Sequence, residues 1–108
     1  MATTFKVLGQ TAPTTGQPAL VTAQGAGVVV SSITVANRSS SATDYFYIRV
    51  AVADAASTNA QFVAFKVAVA AQSVATLTLG ITLSAADTIY AYSDNYTCSY
   101  NAFGTVNS

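Results

Sequence analysis

The sequence predicts an all-β protein, an antiparallel β-sandwich of jelly-roll or Ig-like type with six to eight short strands. Three observations predict it. Apolar residues alternate with Thr, Ser, Ala or Tyr along most of the 108 residues, which is the period of a half-buried strand. Polar turns interrupt that alternation at intervals of roughly 8–12 residues. No window shows helical periodicity, and the connections are too short for the crossovers that parallel strands need, so pairing is antiparallel.

The elements follow in order. Thr3 to Leu8 reads as a short strand or docked arm. Gly9 to Gln17 holds Pro13, Gly16 and three threonines and reads as loop. Pro18 to Thr22 suits a short edge strand, because proline is tolerated at a strand's first residue. Gln24-Gly25-Ala26-Gly27 makes a turn. Residues 1–27 thus form an amino-terminal arm or loop with short strands, and residues 28–108 the sandwich body.

Within the body, Val28 to Asn37 is a strand with Ile33 and Val35 on one face and Ser32, Thr34 and Ala36 on the other. A serine-rich turn leads to Tyr45–Ala53, which sets Phe46, Ile48, Val50 and Val52 against Tyr45, Tyr47, Arg49 and Ala51. Phe62 to Val69 sets Val63, Phe65, Val67 and Val69 against Phe62, Ala64, Lys66 and Ala68. Ser73 to Leu83 alternates through Leu77, Leu79, Ile81 and Leu83, and Gly80 marks a bulge or a close approach within it. Thr88–Ser93 and Tyr96–Phe103 are the last strands, followed by a frayed tail from Gly104.

Charge is the compositional anomaly. Four basic and four acidic residues balance to zero, and there is no histidine. A folded chain of 11.0 kDa exposes roughly 5,600 Å², or about 700 Å² per charge, far sparser than a typical soluble surface. Arg49 and Lys66 are the only charges placed within strands of the body. Neutral Thr/Ser/Ala/Tyr faces and edges invite association unless a partner covers them.

Composition excludes several function classes. No basic stripe exists to displace counterions from nucleic acid or to hold an anionic membrane. No apolar segment is long enough to span a bilayer, and the first residues lack a secretory signal pattern. Without His or Glu, and with its four Asp in or beside turns, the chain has no catalytic constellation, no metal-ligand set and no phosphate loop. No cofactor is implied. Cys98 is the only cysteine, so no internal disulfide forms, and its place in a strand predicts a buried small hydrophobe.

Two candidate sites remain. Tyr45, Tyr47 and Arg49 lie at i, i+2 and i+4 of one strand and form a stripe. Tyrosine is favoured at interface centres because a rigid apolar ring ends in a polar handle, so the stripe is a candidate protein interface. Asp94, Asn95 and Tyr96 form the best local candidate for glycan binding, by stacking on Tyr96 with Asp and Asn as polar contacts; a plain hairpin turn explains the same residues.

The order of motifs resembles a known family. Lys6-Val7-Leu8-Gly9-Gln10-Thr11-Ala12-Pro13 is followed by Val29-Val30-Ser31-Ser32-Ile33-Thr34-Val35-Ala36-Asn37-Arg38. Next come Leu77-Thr78-Leu79-Gly80-Ile81-Thr82-Leu83 with Asp87, and finally Ser99-Tyr100-Asn101-Ala102-Phe103-Gly104. This series resembles the small β-sandwich virion structural proteins of tailed bacteriophages, over nearly the whole chain. The resemblance implies a non-enzymatic virion component, assembled in the host cytoplasm, whose partners are other copies of itself and phage capsid or tail proteins. Capsid decoration or cement is the favoured place, with collar, tail or fibre attachment next and a glycan-binding adhesion module as the reading of another class.

Overall fold

A computed structural model describes residues 3–107. Its strands are β1 (Thr3–Thr11), β2 (Ala19–Thr22), β3 (Val28–Asn37), β4 (Asp44–Ala51), β5 (Phe62–Val69), β6 (Val74–Leu77), β7 (Ile81–Leu83), β8 (Thr88–Ser93) and β9 (Cys98–Asn107). They pair as one long nested hairpin: β1 with β9, β2 with β8, β3 with β6 and β7, and β4 with β5, all antiparallel. The hairpin is rolled so that β9 also pairs β3 and β8 also pairs β4. Two sheets result, β1-β9-β3-β6 with β7 beside β3, and β2-β8-β4-β5. With β6 and β7 taken as one interrupted strand, this is the jelly-roll order and not the Ig-like one.

The core lies between the sheets. Val30, Ile33, Val35, Tyr100 and Ala102 from the first sheet meet Phe46, Ile48, Ile89 and Ala91 from the second, and all are buried. A side chain such as Phe46 or Ile48, with no exposed surface, contributes roughly 1.5–3 kcal/mol by leaving water. A register shift on β3 between Val30 and Ser32 changes the alternation there, so that Val28 and Val30, then Ile33 and Val35, all point inward. Opposite that shift, Gly104 passes so close to β3 that a Cβ would run into the Val29 carbonyl oxygen. Glycine is therefore required at this point of a strand that would otherwise prefer a larger residue.

Several expected boundaries move. β4 stops at Ala51, and Val52 lies in a 3-10 turn, 68% exposed rather than inward. The turn carries left-handed backbone at Ala53 and Asp54, which ends the alternation. β5 departs most from simple parity. Its pairing with β4 shifts register twice and Lys66 has φ +52°, so Ala64 and Val69 are buried while Val63, Phe65 and Val67 are exposed. The expected strand 73–83 is two strands, broken before Gly80 at φ +59°. The tail is not frayed through Asn107, because β9 continues to pair with both β1 and β3. Residues 3–22 of the expected arm supply an edge strand to each sheet of their own sandwich.

Candidate interface

The outer face of the second sheet carries six aromatic rings. Cross-strand register places Tyr47 opposite Tyr92 and Arg49 opposite Tyr90. Side chains opposite one another on a sheet stand close enough to interact directly. The Tyr47 and Tyr92 rings stack at 4.9 Å and 11°. The Arg49 guanidinium lies 4.0 Å from the centre of the Tyr90 ring. From β5, the register shifts bring Phe62 and Phe65 onto the same face. Phe65 meets Tyr47 edge-on at 5.1 Å and Phe62 edge-on at 5.1 Å. Tyr45 completes the row with the Lys66 ammonium 5.7 Å from its ring centre. Each aromatic pair adds about 0.5–1.5 kcal/mol beyond area burial, so the rings form a preorganised layer.

The layer is only half covered. Phe65 is 64% exposed and Tyr45 37%. Arg49 is not a free surface charge: it is 7% exposed. Its Nη1 donates to Gln61 Oε1 at 2.9 Å and its Nε to Gln17 Oε1 at 3.4 Å. Its charge is balanced across Tyr90, whose hydroxyl donates to the Asp54 carboxylate. That hydrogen bond, burial and the Asp54 charge together raise the Tyr90 pKa, against the lowering effect of Arg49. Burial, then the adjacent Asp94 carboxylate, raises that of Tyr47. Burial also raises that of Tyr92. At neutral pH these phenols stay protonated, so the face offers neutral rings and hydroxyls.

Asp94, Asn95 and Tyr96 lie in the β8–β9 turn at one end of this face, where Asp94 sits beside the Tyr47 hydroxyl. The two groups of candidate residues are thus neighbours in space. The turn is anchored on Asp44, which is fully buried at the start of β4. The Asp44 carboxylate accepts from the backbone N–H of Tyr45 at 2.8 Å, Asn95 at 2.9 Å and Thr97 at 3.1 Å, and from Thr97 Oγ1 at 2.9 Å. Asn95 Nδ2 donates to the Thr43 carbonyl at 3.4 Å, and Tyr96 adopts φ +56°. The backbone and amide groups of Asn95 are therefore committed to the turn. Burial alone would raise the Asp44 pKa, but its hydrogen bonds prevail and hold it at about 2. Buried Asn37 extends the network, donating to the Ala42 and Val69 carbonyls, and its Oδ1 shares the single Thr97 hydroxyl proton with Asp44. Cys98 is buried against Asp44, and burial with that negative charge pushes its thiol up to about 11.

Sequence reasoning found Tyr45 and Tyr47 but missed Phe62, Phe65, Tyr90 and Tyr92 as members of one face. The Tyr90/Tyr92 pair carries the same i, i+2 signal as Tyr45/Tyr47, and setting the two stripes side by side would have found it. Nothing local announces Phe65, because its orientation depends on the irregular β5 register. Among the described residues, no cluster of three or more His, Cys, Asp or Glu is placed to hold a metal, and no helix is long and apolar enough to cross a membrane. No protein-family model, curated protein or solved structure matches the chain.

Proposed function

We propose that the protein is a non-enzymatic virion structural protein of a tailed bacteriophage, and within that class a capsid decoration or cement protein. It acts by laying neutral faces against neighbouring protein, so that burial holds the particle together. The single observation that carries the docking role is the aromatic outer face of the second sheet, rigid and partly exposed. A preformed layer of Tyr and Phe loses little side-chain entropy on association, which favours such residues at interface centres. Asp44 and Arg49 are buried, which leaves six of the eight charged residues to serve a surface of 5484 Å². A docked interface of standard size covers about 800 Å² per partner, and each such contact would take neutral surface out of water.

The virion assignment draws on the resemblance of the motif series around Lys6–Pro13, Val29–Arg38, Leu77–Leu83 and Ser99–Gly104. The jelly roll by itself does not select a function, since capsid and lectin domains both use it. The turn geometry favours protein over sugar as the occupant: Asn95 of the glycan candidate already spends its backbone N–H on Asp44 and its side-chain amide N–H on the Thr43 carbonyl.

Co-sedimentation with purified virions from the source of the sequence tests the proposal. The wild-type chain is expected to bind saturably, and Phe65→Asp to lose binding while keeping its fold. Absence of the wild-type protein from the particle fraction would overturn the virion reading.

A further inference from the structure

The outer strands of the two sheets are β1, β2, β5 and the β6/β7 pair, and exposed edges are usually defended against pairing. β2 has four residues, a register shift and a preceding proline. β5 is interrupted by two register shifts and left-handed Lys66. β6 and β7 have four and three residues and are separated at Gly80. β1 differs. Residues 3–7 pair in unbroken register with Asn107–Phe103 of β9, and among the described residues no strand pairs their other edge. Only farther along does β1 turn in, where Gly9 packs on the Leu20 carbonyl. Phe5 is 83% exposed and Val7 45%. Both border an outer-face groove of ≈ 500 Å³ with Val29, Ser31 and Phe103.

We propose that residues 3–7 pair antiparallel with the same residues of a second copy about a two-fold axis at Phe5, joining two first sheets into one. A two-fold axis perpendicular to the sheet keeps the outer faces on one side, so outer residues oppose outer residues. With the axis at Phe5, Phe5 opposes Phe5, Val7 opposes residue 3, and Lys6 opposes Thr4. The only charge in the segment therefore never meets its own copy. An axis at Lys6 would set two ammonium groups directly opposite, which is destabilising. The contact is isologous, so each copy fills the other's free edge and the dimer closes without leaving this edge open to fibre growth. This goes beyond the docking role of the second sheet, which lies on the opposite side of the sandwich.

The test is sedimentation equilibrium of the purified full chain across a dilution series, with circular dichroism as the check on folding. Wild type is expected to be a dimer that dissociates on dilution. Phe5→Lys and Phe5→Glu each set like charges opposite and are expected to weaken dimerisation by about tenfold or more, the equivalent of 1.4 kcal/mol. Both should retain the wild-type circular dichroism spectrum, and should match the wild-type melting temperature when compared at a dilution where wild type is itself monomeric. An equimolar mixture of the two is expected to regain the dimer mass, because opposite charges then meet. Lys6→Glu should dimerise as wild type does, and Phe65→Asp should also remain dimeric while failing to bind particles. A wild-type chain that stays monomeric, Phe5 variants that dimerise normally, or a mixture that stays monomeric would each overturn the proposal.

Discussion

Replacing Asp44 tests the link between the buried polar network and the fold. Four donors converge on its carboxylate within 3.1 Å: three backbone N–H groups and the Thr97 hydroxyl. In Asp44→Ala these partly buried donors lose their acceptor, and each unsatisfied group costs about 1–3 kcal/mol. Water reaching the vacated site recovers part of that, so a net loss of about 3–5 kcal/mol is expected. For a domain of this size that lowers the melting temperature by on the order of 15–25 °C. The pH dependence separates this account from simple packing loss. The folded-state pKa of about 2 lies below the ordinary carboxylate value of 3.8. The folded state thus binds its proton more weakly than the unfolded chain does, and the stabilisation is present above pH 3.8 and lost as pH falls toward 2. Nearly two pK units correspond to about 2 kcal/mol. Denaturant unfolding of wild type and Asp44→Asn from pH 6 to pH 2 reads the difference. The wild-type midpoint should fall across this range, and the variant, already less stable at pH 6, should lose about 2 kcal/mol less of its stability. Parallel pH profiles would refute the assignment.

Other perturbations have distinct signatures. Phe65→Ala gives up two edge-on ring contacts and should cost about 1–3 kcal/mol, as thermal melts would show, while leaving the fold intact and reducing binding to particles. Arg49→Ala should destabilise the fold itself by about 1–3 kcal/mol, measured by urea unfolding, because it removes a buried guanidinium that packs on Tyr90 and leaves Gln61 without its donor. Gly104→Ala should fail to fold or melt far below wild type, since its methyl group meets the Val29 carbonyl. The Cys98 thiol should resist a polar alkylating reagent at pH 8 until denaturant is added, because burial keeps it both protonated and inaccessible.

The parts of the fold that were legible in sequence are those governed by local alternation. β3 and β4 pack one face inward, and Ile33, Val35, Phe46 and Ile48 sit where period two places them. The choice of a jelly roll over an Ig-like sandwich was not legible, because it depends on β1 meeting β9 and β2 meeting β8 across most of the chain. β5 shows the physical limit of parity. Two register shifts rotate its side chains, and Phe65 emerges on the face opposite to the one alternation assigns. Asp44 and Arg49 show the same limit for charges. Asp44 reads in sequence only as an Asp beside a turn, and the donors that hold it buried come from Asn95 and Thr97, far along the chain. Arg49 follows the strand pattern of an outward residue but is covered by Tyr90, Gln17 and Gln61. Tyr45 and Tyr47 were visible because their stripe is local; Tyr90, Tyr92, Phe62 and Phe65 complete it only after the sheet is assembled.

Hydroxyl-radical footprinting of the protein, free and bound to virions, tests the central claim most directly. Tyr45 and Phe65 are exposed in the free chain and should be oxidised readily. On binding, both should become protected together with Tyr92, while Val74 and Leu79, exposed on the other sheet's edge region, stay reactive unless a second contact covers them. Particle-bound protein whose Tyr45 and Phe65 remain as reactive as in the free chain would contradict the account.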